Sequence, residues 1–441
     1  MDRRNEGEGL SVTPPSRALA KPHGGGWGGL RRRRIGPRLF SWLLVSLCIL
    51  SIFLIVPLAR TIQEFVASRW SRSLFGYSVI LIVGGTFLAL VYTLIFRLKI
   101  QSVTNYFWLF LVTALYIYST LKLWDAPEEA IHFLEYGLLG FLLFRALKFH
   151  TKDAGIYFIA FFIGCLVGIF DEILQWIVPL RIWDIRDVGL NALSSGLFQV
   201  GLWWGIQPKG ISPRVRHKSF RTLSILLTAN VVLFGLCLSN TPNRVSTYTK
   251  ILPAFSFLEK EEPMNRFKQT HLDPDIGEFP SLLSLEELKN RDGQGSFVYA
   301  KTLQEWENKA HKEFIRSYYP FKFPFLFEMR THVEIRNNAL RNAQIADDDQ
   351  KKRHFHLMAY KENLILERYF GQTLRKSPYR WMKKQTNAIK QLIDTSMTYK
   401  SPIQFGLVYP WSETTLWISI LAFLLALMGI NVYFSRTRKL N

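Results

Sequence analysis

The stretch GIFDEILQWIVPLRIWDIRDVGLNALSS, residues 168–195, decides the fold because it sets ionisable side chains inside apolar sequence. It starts within an apolar run that opens at Gly155 and ends within another that opens at Val188. Carboxylates are costly inside a membrane-spanning helix, so each one needs a partner or a task there. The stretch therefore predicts a membrane bundle whose function lies among its buried polar groups.

Apolar runs of similar length recur along the whole chain. Each spans about 16 to 23 residues, and a helix needs about 20 residues to cross the hydrocarbon layer. Hydrophobic residues make up 49% of the chain and aromatic residues 15%, and together with eight such runs this is too apolar for an ordinary soluble protein. We therefore predict a mainly α fold, a polytopic membrane helical bundle of about eight transmembrane helices. The runs begin at Leu39, Phe75, Tyr106, Ile131, Gly155, Val188, Leu223 and Leu416.

The formal net charge of +21 would suit a nucleic-acid partner, but the placement of the charge favours membrane topology. Basic residues flank the apolar runs at 31–38, 209–221 and 436–439, as cytoplasmic anchors do. We expect both termini in the cytoplasm, an integral cell (inner) membrane location and no nucleic-acid partner. The loop at 59–74 fits least well, because its arginines would face outward.

The three cysteines all lie within apolar runs, at Cys48, Cys165 and Cys237. They offer neither a disulfide framework nor the spacing of a metal site. No metal ligands are predicted, and the sequence specifies no cofactor.

Composition divides the chain into a membrane part and one large polar segment near its C-terminus. Long loops cross a membrane largely regardless of their charge, so the polar segment is expected outside the cytoplasm. The predicted divisions are a disordered basic tail at 1–36, seven helices at 37–238, an extracytoplasmic α+β domain at 239–410, a last transmembrane helix at 411–434 and a cytoplasmic tail at 435–441.

Local patterns predict helices and two strands in the extracytoplasmic domain. Ser284 and Glu287 have the spacing of a capping box at a helix start. Alternation of apolar and polar residues predicts strands at 325–335 and 353–360, with His354 and His356 on the solvent face of the second. Further helices are predicted at 302–319, 362–370 and 379–397.

Helical spacing gathers polar residues into three stripes, since residues three or four apart share a helix face. Arg181 lies in the connection before the third stripe, and Glu172 points about a quarter turn away from the second. In chain order the stripes are Glu129, His132, Tyr136 and Gly140; then Gly164, Gly168, Asp171 and Gln175; then Asp184, Asp187, Asn191 and Ser194.

The three stripes are expected to meet in one pocket. At about 1.5 Å of rise per residue, their polar groups lie roughly 5 to 12 Å below the same end of the bundle. Short connections make the three helices neighbours, so the groups converge below the outer surface. A structural network is the alternative, with Asp187 paired to Arg181 and Tyr136 paired to Asp171.

The motifs that form these stripes resemble the VanZ-like family of membrane proteins. The resemblance rests on EEAIHFLEYGLLGFLL at 128–143 and on DEILQWIVPLRIWDIRDVGLNALSSG at 171–196. It covers a core of about 105–205 and departs from the family pattern at Leu180 and Ser194. It implies a bacterial cell-envelope protein linked to susceptibility to a glycopeptide antibiotic, and it implies nothing about the rest of the chain.

Three functions remain open at this stage, and the sequence does not say whether the protein is an enzyme. The first is binding or processing of an anionic or lipid-linked envelope precursor, with residues 239–410 contacting an envelope protein. The second is a proton- or cation-coupled transporter or lipid-moving protein, and the third is a non-catalytic scaffold. For the first, the catalytic candidates are His132, Asp171 and Glu172, and the substrate-binding candidates are Glu129, Tyr136, Gln175, Arg181, Asp187 and Asn191.

Overall fold

A computed structural model of the chain describes residues 36–71, 73–97, 99–100, 102–124, 126–179, 181–394, 397–405 and 412–440, with the backbone alone at 60, 67, 260 and 435–440. Leu180, the boundary near 410 and the predicted tail at 1–36 except for Gly36 lie outside the described residues. So do the side chains of the final basic group at 436–439.

Helices occupy all eight expected apolar runs, so the predicted mainly α fold is confirmed. Pro37 is the first residue of the first helix, a position where the missing backbone N–H removes no hydrogen bond of the helix. The helices up to the large polar segment are α1 Pro37–Ile55, α2 Ala59–Arg69, α3 Ser73–Tyr92, α4 Val103–Lys122, α5 Ile131–Leu147, α6 Gly155–Ile177, α7 Ile185–Val200 and α8 His217–Leu238. Short irregular turns extend three of them, at Thr93–Arg97, Pro127–Ala130 and Gly201–Ile206.

Six helices of the described residues are long and apolar enough to cross a membrane. Helices also fill the other two expected spans, but α4 and α7 do not belong to this set. The polar Asp187 and Asn191 lower the apolar character of α7. The six are Pro37–Ile55, Ser73–Arg97, Pro127–Leu147, Gly155–Ile177, His217–Leu238 and Glu413–Phe434.

Helices α5, α6 and α7 pack against one another and form the centre of the bundle. Helix α1 covers α5, while α8 packs on α6. The loop expected at 59–74 contains α2, a helix of 11 residues. Apolar side chains on the outer faces of α1 and α3, such as Leu54 and Leu81, are exposed, as lipid-facing residues are. This packing places the three predicted stripes on adjacent helices.

The C-terminal region, residues 239–405, folds around its own apolar core and contains the small sheet that the α+β prediction requires. Two antiparallel strands pair from Gln269↔Ser281 to Asp273↔Gly277, and Gly277 takes a positive φ of 111° that suits glycine. The elements are α9 Pro242–Ile251, β1 Gln269–Asp273, β2 Gly277–Ser281, α10 Leu285–Glu305, α11 His311–Ser317, α12 Pro324–Ile345, α13 Asp349–Tyr369, α14 Gly371–Lys376 and α15 Lys383–Lys390; α16 Glu413–Leu440 follows. A short turn at Pro253–Lys260 joins α9 to the strands.

The two strands predicted at 325–335 and 353–360 are wrong. Both segments are helical, in α12 and α13. In α12 the polar residues Glu328, His332 and Arg336 are buried beside the apolar ones, so a pattern of apolar residues alone hid the helical period. His354 and His356 therefore lie on a helix, where His354 is exposed.

The other local predictions hold in part. The capping box of Ser284 and Glu287 is present at the start of α10. The helix predicted at 302–319 is broken, because α10 ends at Glu305 and α11 begins at His311. The helix predicted at 362–370 is the end of α13, and the one predicted at 379–397 is reduced to α15.

Candidate functional site

The first two stripes meet at the centre of the bundle. The hydroxyl of Tyr136 on α5 donates a hydrogen bond to Asp171 Oδ2 on α6 at 3.2 Å. Both side chains are buried. This is one of the two pairs that the sequence offered as a structural contact, and it ties α5 to α6 at the depth of the other polar groups.

Glu172 organises the connection between α6 and α7. Its Oε1 accepts a hydrogen bond from Gln175 Nε2 at 2.6 Å, and its Oε2 accepts one from the backbone N–H of Asp184 at 3.2 Å. Arg181 donates to Gln175 Oε1 rather than pairing with Asp187 as the sequence suggested. Glu172 was placed a quarter turn off the stripe, yet it is fully buried and reaches both helices.

A cavity of about 700 Å³ opens beside these groups. Its polar wall comes from α5, α6 and the start of α7, and its other wall is apolar. Six of the nine candidate residues line it: Glu129, His132, Asp171, Gln175, Arg181 and Asp187. The apolar wall consists of side chains at the end of α1 and on α2, namely Ile52, Ile55, Val56 and Ile62, and α2 also contributes the polar Gln63 and Glu64.

The other three candidate residues are buried and do not line this cavity. Tyr136 and Glu172 contact its lining through Asp171 and Gln175. Asn191 is fully buried, one helical turn after Asp187. Neither amide atom of Asn191 has a hydrogen-bond partner among the described residues. The structure thus brings all nine candidates to one end of the bundle. Six of them line the cavity, and the other three lie behind these.

His132 lies at the edge of this cavity beside a second acidic residue. Its Nδ1 is 3.6 Å from Glu135 Oε2. A ring nitrogen of His132 also lies within 4.8 Å of carboxylate oxygens of Glu172 and Asp187, close enough for the three to bind one metal ion. An imidazole next to several carboxylates is able to exchange a proton with a bound ligand or to hold a cation.

Two glycines allow the close approach of α6 and α7 that brings the site together. A Cβ on Gly164 would lie 2.4 Å from Ser195 Oγ, and one on Gly168 would lie 2.9 Å from Asn191 Cβ. Neither distance is tolerable for a side chain. The small-residue pair noted in the sequence therefore acts as a packing contact.

The C-terminal region covers the same end of the bundle. The hydroxyl of Tyr319 donates to the carboxylate of Asp184, and the Arg186 guanidinium lies 4.9 Å from the Tyr319 ring centre. Burial and the neighbouring Asp184 raise the pKa of the Tyr319 phenol, so the hydroxyl stays the donor. Trp176 Nε1 also donates to the backbone carbonyl of Glu262 at 2.9 Å. Asp184, which the sequence placed on the third stripe, thus joins the bundle to the C-terminal region.

Some lining residues carried little or no signal in the sequence. Lys322 reaches the cavity from the C-terminal region, over 130 positions away from Asp187 along the chain. Gln63 and Glu64 reach it from α2, and Gln63 Nε2 donates to Glu128 Oε1 at 2.7 Å. Only the amphipathic pattern of α2 could have pointed to the latter two, whereas Lys322 depends wholly on tertiary contacts.

Comparison with known proteins identifies the bundle. The family model described as VanZ/LLP1 matches residues 42–205 of this chain, which include α5, α6, α7 and the whole polar wall of the cavity except Lys322. Comparison with curated proteins and with solved structures gives no match. The resemblance seen in the sequence motifs is confirmed, and residues from about 206 onward are not covered by it. The protein is an integral membrane protein that is similar to the VanZ-like family over residues 42–205.

Proposed function

We propose that the protein binds the headgroup of an anionic or lipid-linked envelope precursor in the cavity among α1, α2, α5, α6 and α7. The observation that carries this proposal is the division of the cavity into an apolar and a polar wall. A lipid-linked molecule has the same division, with acyl or prenyl chains next to a charged headgroup. Ligand pockets typically combine apolar surface with a few placed polar groups.

The polar wall offers specific contacts for such a headgroup. Arg181 and Lys322 both line the cavity and supply positive charge for a phosphate group. Gln175, which accepts from Arg181, holds that guanidinium against α6. His132, with Glu135 beside it, is the candidate acid or base if the headgroup is also processed. In this proposal Asp171 and Glu172 position the donors around the ligand.

The proposal includes an orientation in the inner membrane of a bacterium. Both termini lie in the cytoplasm, and residues 239–410 lie outside it with the mouth of the cavity. The basic residues that precede α1 and those at 436–439, near the end of α16, support this arrangement. Since Lys322 of the C-terminal region lines the cavity, the two share one side of the membrane.

Cysteine labelling in intact cells tests the orientation. Position 349 is exposed in the C-terminal region, whereas Lys209 lies in the basic connection between α7 and α8. With the three native cysteines replaced, we expect a membrane-impermeant maleimide to label Asp349→Cys from outside and Lys209→Cys only after lysis. The reverse pattern would refute the proposed topology.

Lipid retention by the purified protein tests the binding itself. Full-length protein in mild detergent is compared with Arg181→Gln and His132→Gln, and bound lipids are identified by native mass spectrometry. We expect at least about a tenfold loss of retained headgroup lipid, equivalent to about 1.4 kcal/mol, since each change removes a charged or polar contact.

The controls are matched substitutions on α13, Arg353→Gln and His354→Gln, both at exposed positions. They should retain lipid as the unchanged protein does. Equal retention in all four variants, at equal thermal stability, would exclude the proposal. In cells, Arg181→Gln and His132→Gln should alter precursor levels and glycopeptide susceptibility at normal protein abundance, and the two control variants should not. Proton-gradient-dependent flux in vesicles that is lost in Asp171→Asn would instead favour a transporter.

A further inference from the structure

The charge of the cavity raises a problem for an anionic ligand. Among the described residues that line it, the carboxylate side chains number seven, against the two permanent cations of Arg181 and Lys322. A phosphate that enters such a space meets repulsion that a partly buried site screens poorly. A bound cation would balance the acids and attract the phosphate. The carboxylates are Glu64, Glu128, Glu129, Glu135, Asp171, Asp184 and Asp187.

The ligand atoms for such a cation are already close together. One ring nitrogen of His132 and one carboxylate oxygen each of Glu172 and Asp187 lie within 4.8 Å of one another. They come from three different helices or helix starts, so the cluster depends on the packing of α5, α6 and α7. His132 and Asp187 are half-buried next to the cavity, while Glu172 is fully buried behind it. An ion at this point would be anchored in the bundle and open towards a ligand.

Unsatisfied polar atoms mark the same place. Asp187 Oδ1 is buried and has no hydrogen-bond partner among the described residues. Asn191, one turn deeper on the same face of α7, is fully buried, and both of its amide atoms lack a partner in the described part of the chain. Buried polar groups nearly always have partners, so these atoms leave room for an ordered water, an ion or a ligand group.

Glu135 lies beside His132, where a carboxylate commonly lies in metal sites. A histidine that binds a metal through one ring nitrogen commonly donates the other N–H to a carboxylate, which fixes its tautomer. Glu135 Oε2 lies 3.6 Å from His132 Nδ1. This distance is longer than a hydrogen bond, and Nδ1 has no hydrogen-bond partner among the described residues, so ligation through Nε2 requires Nδ1–H and Glu135 to move closer together.

We propose that His132, Glu172 and Asp187 bind a divalent transition-metal ion, Mn²⁺ or Zn²⁺, at the polar wall of the cavity. One imidazole and two carboxylates suit these ions better than Mg²⁺ or Ca²⁺, which favour oxygen donors alone. The three protein ligands leave coordination positions open to an incoming group. That this group is the phosphate of a headgroup rests on the proposed function, while the cation site stands without it.

Direct measurement of bound metal tests the site. Bound metal is removed from full-length protein in detergent with a chelator. The protein is then loaded with Mn²⁺ or Zn²⁺ alone, and its metal content is measured by elemental mass spectrometry. We expect about one ion per chain and at least about a tenfold loss of affinity in His132→Gln and Asp187→Asn. The exposed substitutions His354→Gln and Asp349→Asn should bind as the unchanged protein does.

A spectroscopic signal separates ligation from general charge. Pulsed electron paramagnetic resonance of the Mn²⁺-loaded protein should show coupling to an imidazole nitrogen. His132→Gln should abolish this coupling, and Glu135→Gln should keep it with weaker binding, as expected of a positioning residue. The proposed metal site would be refuted if the protein without substitutions bound neither ion, or if the coupling remained in His132→Gln.

The two proposals fail in different ways. Headgroup lipid retained by the protein without any bound metal would remove the cation site and leave the proposed function standing. A stoichiometric metal with no retained lipid would do the opposite. If both hold, Mn²⁺ should increase lipid retention, and this increase should disappear in Asp187→Asn, whereas Asp349→Asn should keep it.

Discussion

The chain buries two groups of carboxylates around a histidine, and they differ in how completely the protein satisfies them. The closed network of the C-terminal region consists of Glu328, His332 and Glu362 with their hydrogen-bond partners. There, His332 Nδ1 lies 2.6 Å from Glu362 Oε2, and Glu362 Oε1 accepts from the hydroxyl of Tyr399 at 2.6 Å. The open cluster of the bundle consists of His132, Glu135, Asp171, Glu172 and Asp187. There, the corresponding distance between His132 and Glu135 is 3.6 Å, and the cavity of about 700 Å³ adjoins it.

The contrast separates a structural role from a binding role. Both oxygens of Glu328 and of Glu362 accept hydrogen bonds from the protein, so these acids hold helices and strands together. In the open cluster Glu172 is satisfied in the same way, whereas Asp187 Oδ1 has no partner among the described residues. A single orphan atom does not distinguish the two groups, because His332 Nε2 also lacks a partner in the described residues. The difference is access, since His332 is 1% exposed whereas His132 borders the cavity. Unsatisfied atoms next to a cavity are open to a water molecule or a ligand that enters it.

Removing the central acid of the closed network should have the largest effect on stability. Glu362→Ala deprives His332, Tyr399 and Ser401 of their acceptor in a fully buried place. We expect a loss of about 3 to 5 kcal/mol in the free energy of unfolding of the C-terminal region. Thermal unfolding in detergent, with hydrogen exchange of α12 and α13, measures it.

The control for this change is Glu307→Ala, at an exposed position of the same region. It should alter stability by less than about 0.5 kcal/mol. If Glu362→Ala leaves the exchange protection of α12 unchanged, the closed network does not hold the region together. The structural role that we assign to this network would then be wrong.

The closed network should also make the C-terminal region sensitive to pH. Burial raises the pKa of Glu328 from 4.5 to about 7, against the opposing hydrogen bonds from Ser281 and the backbone of Leu282. The folded state therefore holds this proton more tightly than the unfolded chain. The stabilisation is complete below pH 4.5 and is lost as the pH rises to about 7. The loss is about 3 kcal/mol.

Glu328→Gln tests this assignment because the amide keeps both hydrogen-bond positions and cannot ionise. Stability of the C-terminal region, followed by hydrogen exchange of α12, should fall with rising pH in the unchanged protein and stay level in the variant. The same slope in both proteins would assign the pH dependence to another group.

The bundle was largely predictable because lipid imposes local rules on sequence. Apolar runs gave the helices, and three-to-four spacing gave the stripes, which brought His132, Asp171 and Asp187 to one end of the bundle. The candidate roles of these residues stay predictions. Lys322 and α2 at the cavity were not predictable, since they depend on how distant segments pack.

The C-terminal region was predicted less well, for a reason that the closed network explains. In α12 the buried face includes Glu328, His332 and Arg336 at four-residue intervals. A search for apolar residues counts these positions as polar and therefore finds alternation. Only the capping box of α10, which depends on adjacent backbone groups, was correct in detail. Buried polar networks defeat simple periodicity because the partners that satisfy them are distant in sequence.

The approach of α6 to α7, on which the open cluster depends, should show an intermediate effect. Gly164→Ala places a methyl group 2.4 Å from Ser195 Oγ and 3.0 Å from Ser195 Cβ. We expect a loss of about 1 to 3 kcal/mol together with weaker cation binding, because the helices must separate. Gly189→Ala on α7, where nothing lies within 4 Å, should instead gain up to about 1 kcal/mol. Thermal unfolding of both variants in the same detergent compares them, and equal effects would contradict the close packing.

The smallest effect on stability should come from Asn191, and it provides the sharpest test of the contrast. Asn191→Ala removes no hydrogen bond among the described residues, so we expect a cost below about 1 kcal/mol. Asn230 on α8 is its control, because its Nδ2 donates to the carbonyls of Phe162 and Leu226 at 3.0 and 2.8 Å. Asn230→Ala should cost about 1 to 2 kcal/mol and leave lipid and metal retention unchanged.

Asn191→Ala should show the opposite pattern, with stability almost unchanged and retention reduced. Its amide lies one turn from Asp187 and packs against Gly168 behind the cavity lining, so its loss should disturb the ligand through Asp187. Mass spectrometry and thermal unfolding on the same preparations measure both properties. If Asn191→Ala loses as much stability as Asn230→Ala and no ligand, then Asn191 belongs with the structural residues. The open cluster would then be a second closed network, and the unsatisfied atoms would have no ligand to explain them.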